Sequence, residues 1–230
     1  MLSSDRRNDP DRSGEPWRAR QGGVEVRFTG RGAPKTPRES RREVLDRISP
    51  ASLELAWLRQ IHSNRVLEAQ PGLTAEGDAL WTDQRGLALC IATADCVPIV
   101  IAAADRVATV HAGWRGIIAG IVSAAVDVFP EPARLTAWIG PAIGACCYEV
   151  GEDVATRIAE SASPKVINAN TGHRPHADLS KAVEIQLSRL GVEDIRRLGE
   201  CTACDCDRLW SYRREGPGAG RNLTFAWISE

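Results

Sequence analysis

Two apolar runs stand almost back to back in this chain, Gly86–Ala92 and Val97–Ala102, followed by a third segment, Arg106–His111, that ends on a histidine. A strand with one wet face alternates polar and apolar residues. A strand that is apolar at nearly every position needs cover on both faces. These runs therefore demand layers above and below a sheet and exclude a single solvated sheet. At 230 residues and 43% hydrophobic, the chain is long enough to bury such a core as one domain. Pro98 lacks a backbone donor, so it is expected at a strand start or an edge.

The rest of the pattern mixes strands and helices without strict alternation. Strands are expected at Val24–Phe28, Leu53–Leu58, Arg65–Ala69, Leu135–Ile139 and Arg221–Ile228. Helices are expected at Pro37–Ile48, Asp153–Ser161 and Leu179–Leu190, the last with Asp178 or Ser180 near its N-terminus. Trp114–Phe129 is the longest helix candidate and is closed by Pro130. The fold class that follows is α/β (α+β), a single-domain sandwich with mixed sheets. Residues 1 to about 21 hold almost nothing to bury and are expected to form a disordered tail, with the folded domain running from 22 to 230.

The formal net charge of −1 gives no electrostatic argument for nucleic acid or an anionic membrane. No apolar segment approaches the roughly 20 uncharged residues of a membrane span, and the first residues lack the apolar core of a signal peptide. Seven cysteines with no export signal point to reduced thiols and a cytoplasmic protein. The pattern sets no oligomeric state.

The candidate chemistry rests on three residues. Cys96 opens one apolar strand, His111 closes another just before a glycine turn, and His62 lies upstream in Gln60-Ile61-His62-Ser63. A thiolate and two neutral imidazoles form a His2Cys donor set for zinc, and three protein ligands leave the fourth tetrahedral position open, as in catalytic sites. Bound there, zinc lowers the pKa of its water to about 7. The gaps between the three fit no local zinc motif, so spacing alone also allows inert packing residues or a metal-free Cys96–His111 nucleophile and base, suited to an amidase or deamidase. Arg115, directly after Trp114 at the start of the long helix, is a candidate anion ligand, and Arg213 and Arg214 are a second such pair. Asp95 is a candidate for orienting a ligand through a hydrogen bond. Cys201-Thr202-Ala203-Cys204 reads as half of a zinc site with no second CxxC to complete it, leaving only Cys146-Cys147 elsewhere. His173 and His176, in a breaker-rich loop, read as solvated surface histidines.

Six ordered segments resemble one family: Q-I-H-S at 60–63, D-A-L-W-T-D at 78–83, T-A-D-C-V-P-I at 93–99, H-A-G-W-R-G at 111–116, I-G-P-A-I-G-A-C-C-Y-E-V at 139–150 and S-Y-R-R-E-G at 211–216. This is the YfiH-like family, also called the laccase-domain or polyphenol oxidase family. The resemblance spans about residues 22 to 230. It implies an αββα-type sandwich, zinc held by His62, Cys96 and His111, and phosphorolysis of purine nucleosides (adenosine, inosine, methylthioadenosine) with phosphate as co-substrate. It further implies some adenosine deaminase activity. A peptidoglycan-precursor hydrolase and a non-enzymatic nucleoside-binding module stand as alternatives. The chain departs from the family pattern after Phe28-Thr29-Gly30-Arg31, where an S-L-N-L-G stretch is missing, and at Val183, where the family often has asparagine.

A multicopper mechanism fails on residue count. It needs roughly ten imidazoles, and the chain has four histidines. Copper is then expected only as a substitute for zinc in the His2Cys set.

Overall fold

The computed structural model describes residues 17–31, 40–49, 52–73, 75–168 and 174–229. In chain order the strands are β1 (Trp17–Gln21), β2 (Val24–Phe28), β3 (Glu54–Trp57), β4 (Val66–Glu68), β5 (Ala79–Thr82), β6 (Leu87–Thr93), β7 (Val97–Ala102), β8 (Val107–Ala112) and β9 (Thr136–Ile139). Two short strands, β10 (Ile167–Asn168) and β11 (His176–Ala177), precede β12 (Asp194–Arg197) and β13 (Asn222–Ile228). The helices are α1 (Ser40–Ile48), α2 (Trp114–Ile118), α3 (Ile121–Val126), α4 (Glu152–Ser161), α5 (Leu179–Arg189) and α6 (Tyr212–Glu215).

Two mixed sheets form the centre. One runs β1-β2-β13-β6-β3 and the other β12-β9-β7-β8-β5-β4. The pairs β3/β6, β4/β5 and β9/β12 are parallel and the remaining neighbours in the two sheets antiparallel. The three apolar clusters identify the layers. Val24, Val26, Leu87 and Leu89 of the first sheet meet Val100, Ala102, Val107 and Trp138 of the second. The opposite face of β6, with Ala88 and Cys90, packs under Val44 and Leu45 of α1. The opposite face of β7, with Ile99 and Ile101, packs under α2–α5 through Ile117, Val122, Ile158 and Val183. The order is therefore helix, sheet, sheet, helices, which is the expected αββα-type sandwich. It also explains the two apolar runs: odd and even residues of β7 face different layers, and each fully buried aliphatic side chain contributes about 1.5–3 kcal/mol.

Pro98 sits near the start of β7, opposite His111. His111 sends its N–H away from β7, to the carbonyl of Asp78 at 2.7 Å. The β8 side thus asks for no donor from Pro98; on the β9 side Pro98 accepts the Gly140 N–H at 2.9 Å just beyond the last paired residue of β9, so the missing donor falls where that pairing ends.

Two expectations need correction. The chain enters the fold earlier than residue 22, because Trp17–Gln21 pairs with β2 and the Trp17 ring is buried; residues 1–16 lie outside the described part. The long helix over Trp114–Phe129 is two helices, α2 and α3, since Gly120 adopts φ 87° after Ala119 and ends the first of them. Residues 32–39, which include Pro37 and most of the segment where the chain departs from its family, are not described. Among the described residues, no helix is long and apolar enough to cross a membrane.

Candidate metal centre

The site is built where β5 and β7 begin and β8 ends, and its organiser is Asp78, a residue with no exposed surface. One carboxylate oxygen accepts the N–H of His62 at 2.9 Å and of Ile61 at 3.2 Å. The other accepts the N–H of Ser63 at 2.6 Å and its hydroxyl at 2.7 Å. This set of donors holds the 61–63 loop, including His62 in the left-handed region at φ 59°, a conformation uncommon outside glycine. The same carboxylate meets His111 Nδ1 at 2.8 Å. Burial alone raises the Asp78 carboxyl, but the hydrogen bonds from His111 and Ser63 outweigh it and hold the group at about 2. Gln60 clips the loop to β6 by pairing its side-chain amide with both backbone groups of Ala92, at 2.7 and 2.8 Å.

Cys96 is aimed by a second strained residue. Asp95 stands at φ 93° in the turn between β6 and β7. Its carboxylate accepts the Thr202 hydroxyl and the Arg213 N–H, both at 2.6 Å, and its carbonyl accepts the Ile143 N–H at 2.9 Å. Asp95 therefore ties three loops together. The ligand-orienting carboxylate expected at Asp95 is instead Asp78, which fixes the His111 ring through Nδ1 and turns Nε2 toward the thiol.

His62, Cys96 and His111 offer ligand atoms that all lie within 4.8 Å of one another. Cys96 Sγ is 3.8 Å from His62 Nε2, and the two imidazoles meet edge to face with centroids 4.7 Å apart. Bond lengths of 2.0–2.1 Å to nitrogen and 2.3 Å to sulfur, at tetrahedral angles, put N and S about 3.6 Å apart. The Cys96–His62 separation is thus close to that of two ligands on a single tetrahedral ion. Gly113 makes the closeness feasible: a Cβ there would stand 2.8 Å from the His62 ring and 3.1 Å from Cys96 Sγ. Burial opposes charge on both Cys96 and His111, yet their mutual hydrogen bond and the ones to His62 and Asp78 prevail. The thiol is held at about 6 and the His111 imidazole at about 9. Cys90, by contrast, is pushed by burial up to about 12 and is an inert core thiol.

His62 is exposed, Cys96 half-buried and His111 buried. The three open onto a cleft of about 1380 Å³, lined also by Trp57, Tyr148, Tyr212, Arg41, Arg213 and Arg221. Tyr212 is 52% exposed at the rim. The arginines differ in how their charge is used. Arg59, also in the lining, is ion-paired with Glu76. Arg213 instead donates to the neutral carbonyls of Cys147 and Glu149, at 3.2 and 3.0 Å, and Arg221 to those of Ala219 and Gly220. Burial pushes the Tyr148 hydroxyl up to about 12.

The remaining sequence candidates fall elsewhere. Arg115 is exposed, lies outside the cleft lining and stacks on Trp114 at 4.4 Å. Arg214 is spent on the carbonyls of Thr202, Ala203 and Leu209. His176 is not a solvated histidine: it is half-buried, pairs in β11 and meets the Ala145 carbonyl through Nδ1 at 2.6 Å. His173 lies outside the described residues. Cys201 and Cys204, which read as half a site, meet Cys146 and Cys147 in space. The sequence reading missed Asp78 as an organiser because its four partner residues lie 15 to 33 residues away along the chain.

The model of the family described as "Multi-copper polyphenol oxidoreductase laccase" matches residues 12–229. A purine nucleoside phosphorylase of Pseudomonas aeruginosa is 37% identical over 204 residues, covering 86% of this chain and 82% of the relative. The purine nucleoside phosphorylase YfiH of Escherichia coli is 34% identical over 178 residues, covering 75% of this chain and 73% of the relative. Among solved structures, YlmD from Geobacillus stearothermophilus superposes with a TM-score of 0.86 at 26% identity, over 96% of this chain and 98% of that one. A Neisseria meningitidis protein superposes at 0.83 and 28% identity, over 94% and 100%.

Proposed function

We propose that this chain, which belongs to the multi-copper polyphenol oxidoreductase laccase family, is a zinc-dependent purine nucleoside phosphorylase. The observation that carries this reading is the His62–Cys96–His111 donor set facing a cleft that holds aromatic rings and two arginines whose N–H groups go to neutral carbonyls. Relatives at 34–37% identity carry the name purine nucleoside phosphorylase.

In this reading His62, Cys96 and His111 hold zinc. When bound, the ion supplies Lewis-acid polarisation at the inner end of the cleft. Asp78 keeps His111 in the tautomer that presents Nε2 to the metal. Arg213 and Arg221 keep their positive charge for a phosphate anion, a role the sequence had suggested for Arg115 and for Arg213. Trp57 and Tyr212 supply apolar faces for a purine. In phosphorolysis a phosphate oxygen bonds to the anomeric carbon as the C–N glycosidic bond breaks, and the purine leaves with the electron pair and takes a proton. Tyr148, still protonated at neutral pH, is placed in the cleft to donate a hydrogen bond to the departing base. The products are a free purine and a ribose 1-phosphate. Four histidines do not supply a multicopper centre.

The test is product analysis on adenosine with and without phosphate, alongside metal content. Phosphate-dependent adenine supports the reading. Phosphate-independent inosine replaces it with deamination, and binding without turnover replaces it with a non-enzymatic module.

One observation favours a second reading. Cys96, His111 and Asp78 form a thiol–imidazole–carboxylate chain, with the thiol held at about 6, which is the arrangement of a metal-free cysteine amidase. Full activity in metal-stripped protein, on an amide and not on a nucleoside, selects it. His62 separates the two readings, because only the metal site needs it.

A further inference from the structure

Four of the seven cysteines converge at the surface, away from the cleft chemistry. Cys146 and Cys147 lie in the loop between β9 and α4, and Cys201 and Cys204 lie in the loop after β12. The four Sγ atoms all fall within 4.8 Å of one another. Cys204 Sγ is 3.5 Å from that of Cys146 and 3.4 Å from that of Cys147. Four sulfurs at 2.3 Å from a central zinc stand about 3.8 Å apart along each tetrahedral edge. The observed spacing is close to that edge and well beyond the bonded separation of about 2.05 Å. All four thiols are free. A cage of this size suits one metal ion, and soft thiolate donors in a tetrahedral set suit zinc.

The surroundings are those of a metal-binding turn. Cys201-x-x-Cys204 closes a reverse turn in which Asp205 N–H donates to the Cys201 carbonyl at 3.0 Å. The Gly144 N–H donates to Cys201 Sγ at 3.2 Å, joined by the amides of Ala203 and Cys204. Amide donors to sulfur stabilise thiolates. A tetrathiolate zinc carries two negative charges, and two arginines flank it: Arg213 on the Cys147 carbonyl, Arg214 on those of Thr202 and Ala203. Gly144 fits because a Cβ there would stand 3.2 Å from Cys146 Sγ and 3.3 Å from Cys201 Cβ.

We infer that Cys146, Cys147, Cys201 and Cys204 form a second, closed zinc site that staples these two loops together. Binding replaces four S–H protons with four Zn–S bonds and releases the protons. The staple is consequential because the stapled loops carry groups that shape the cleft: Tyr148 follows Cys147 directly, and Thr202, between the two cysteines of the turn, donates to Asp95 beside Cys96. The inference rests on sulfur geometry and stands whether or not the cleft cleaves nucleosides.

The experiment is zinc stoichiometry on full-length protein purified without a nickel column. Wild type should hold two zinc ions per chain. Cys204→Ser and Cys146→Ser should each hold one, with the cleft zinc retained, and His62→Ala should also hold one. A single zinc that disappears in His62→Ala and persists in Cys204→Ser overturns the inference. So does an intact mass lower by two hydrogens that reductant restores, which would mean a disulfide. Should the cysteine variants fail to fold, cobalt titration of metal-stripped wild type decides. Two equivalents, one with strong thiolate charge-transfer absorption of a four-sulfur site, support it; saturation at one equivalent with a weaker, nitrogen-rich spectrum overturns it.

Discussion

The two donor clusters solve opposite problems with the same residue types. In the first, one imidazole and one thiol at strand ends and a second imidazole on a loop are backed by a fully buried carboxylate and face a large cleft. In the second, four thiols sit on two surface loops and face each other. The first is supported from behind and open in front; the second is closed on itself. A site meant for turnover needs a free coordination position and a rigid base, whereas a staple needs all positions filled by protein. Rigidity at the first site comes from Asp78 and from two residues at positive φ, His62 and Asp95. At the second it would come from the metal.

The comparison can be broken at the cleft first. Replacing His62 by alanine should remove the cleft metal and lower nucleoside turnover about 10³-fold, since Lewis-acid stabilisation is worth several kcal/mol; steady-state kinetics with metal analysis checks it. Asp78→Asn keeps the shape of the side chain but loses the charge on His111. It should lower metal affinity or activity about 10–100-fold, as loss of such supporting groups does, measurable by competition with a chelator. Gly113→Ala tests the cradle sterically, because Gly113 has ordinary φ and ψ of −76° and 164°. The added methyl meets both donors and should cost about 1–3 kcal/mol, read as a lower Tm with reduced cleft-metal occupancy.

A chelator sharpens the contrast itself. The open site should lose its zinc, and activity with it, at chelator concentrations that leave the four-sulfur zinc in place. Release of both ions together would equate the two sites.

The smallest effect is on pH. In metal-free protein Asp78 is lowered from 3.8 to about 2, so its stabilising contribution is complete above about pH 4 and is lost as pH falls through 2. His111 is raised from 6.5 to about 9, so its contribution is complete below about pH 6.5 and is lost as pH rises through 9. Cys96 is lowered from 9.0 to about 6, so its contribution builds as pH rises from 6 to 9 and offsets the loss at His111 over the same window. Melting curves of stripped protein should therefore fall mainly on the acid side, below about pH 4, and Asp78→Asn should flatten that edge.

The legibility of the molecule in its sequence was uneven for local reasons. The strands β6, β7 and β8 were readable within a residue or two, because burial on both faces leaves a continuous apolar signature. β5 was not read as a strand and β12 was missed, since four-residue segments such as Asp194–Arg197 show no period. The break at Gly120 was hidden inside an otherwise helical run. Among site residues, His62, Cys96 and His111 stood out by residue type and by motif. Of the arginines the sequence offered as anion ligands, Arg115 faces solvent beside Trp114, whereas Arg213 lines the cleft.

What the sequence determined by itself is what local periodicity can encode: a sandwich in which central strands are covered on both sides, and a set of donor side chains at the ends of those strands. What only the tertiary structure decided is which donors meet. Asp78 reaches His111 across 33 residues, Asp95 reaches Arg213 across 118, and Cys204 reaches Cys146 across 58. Such contacts leave no period in the chain, because they are set by how the layers stack and by which loops that stacking brings together.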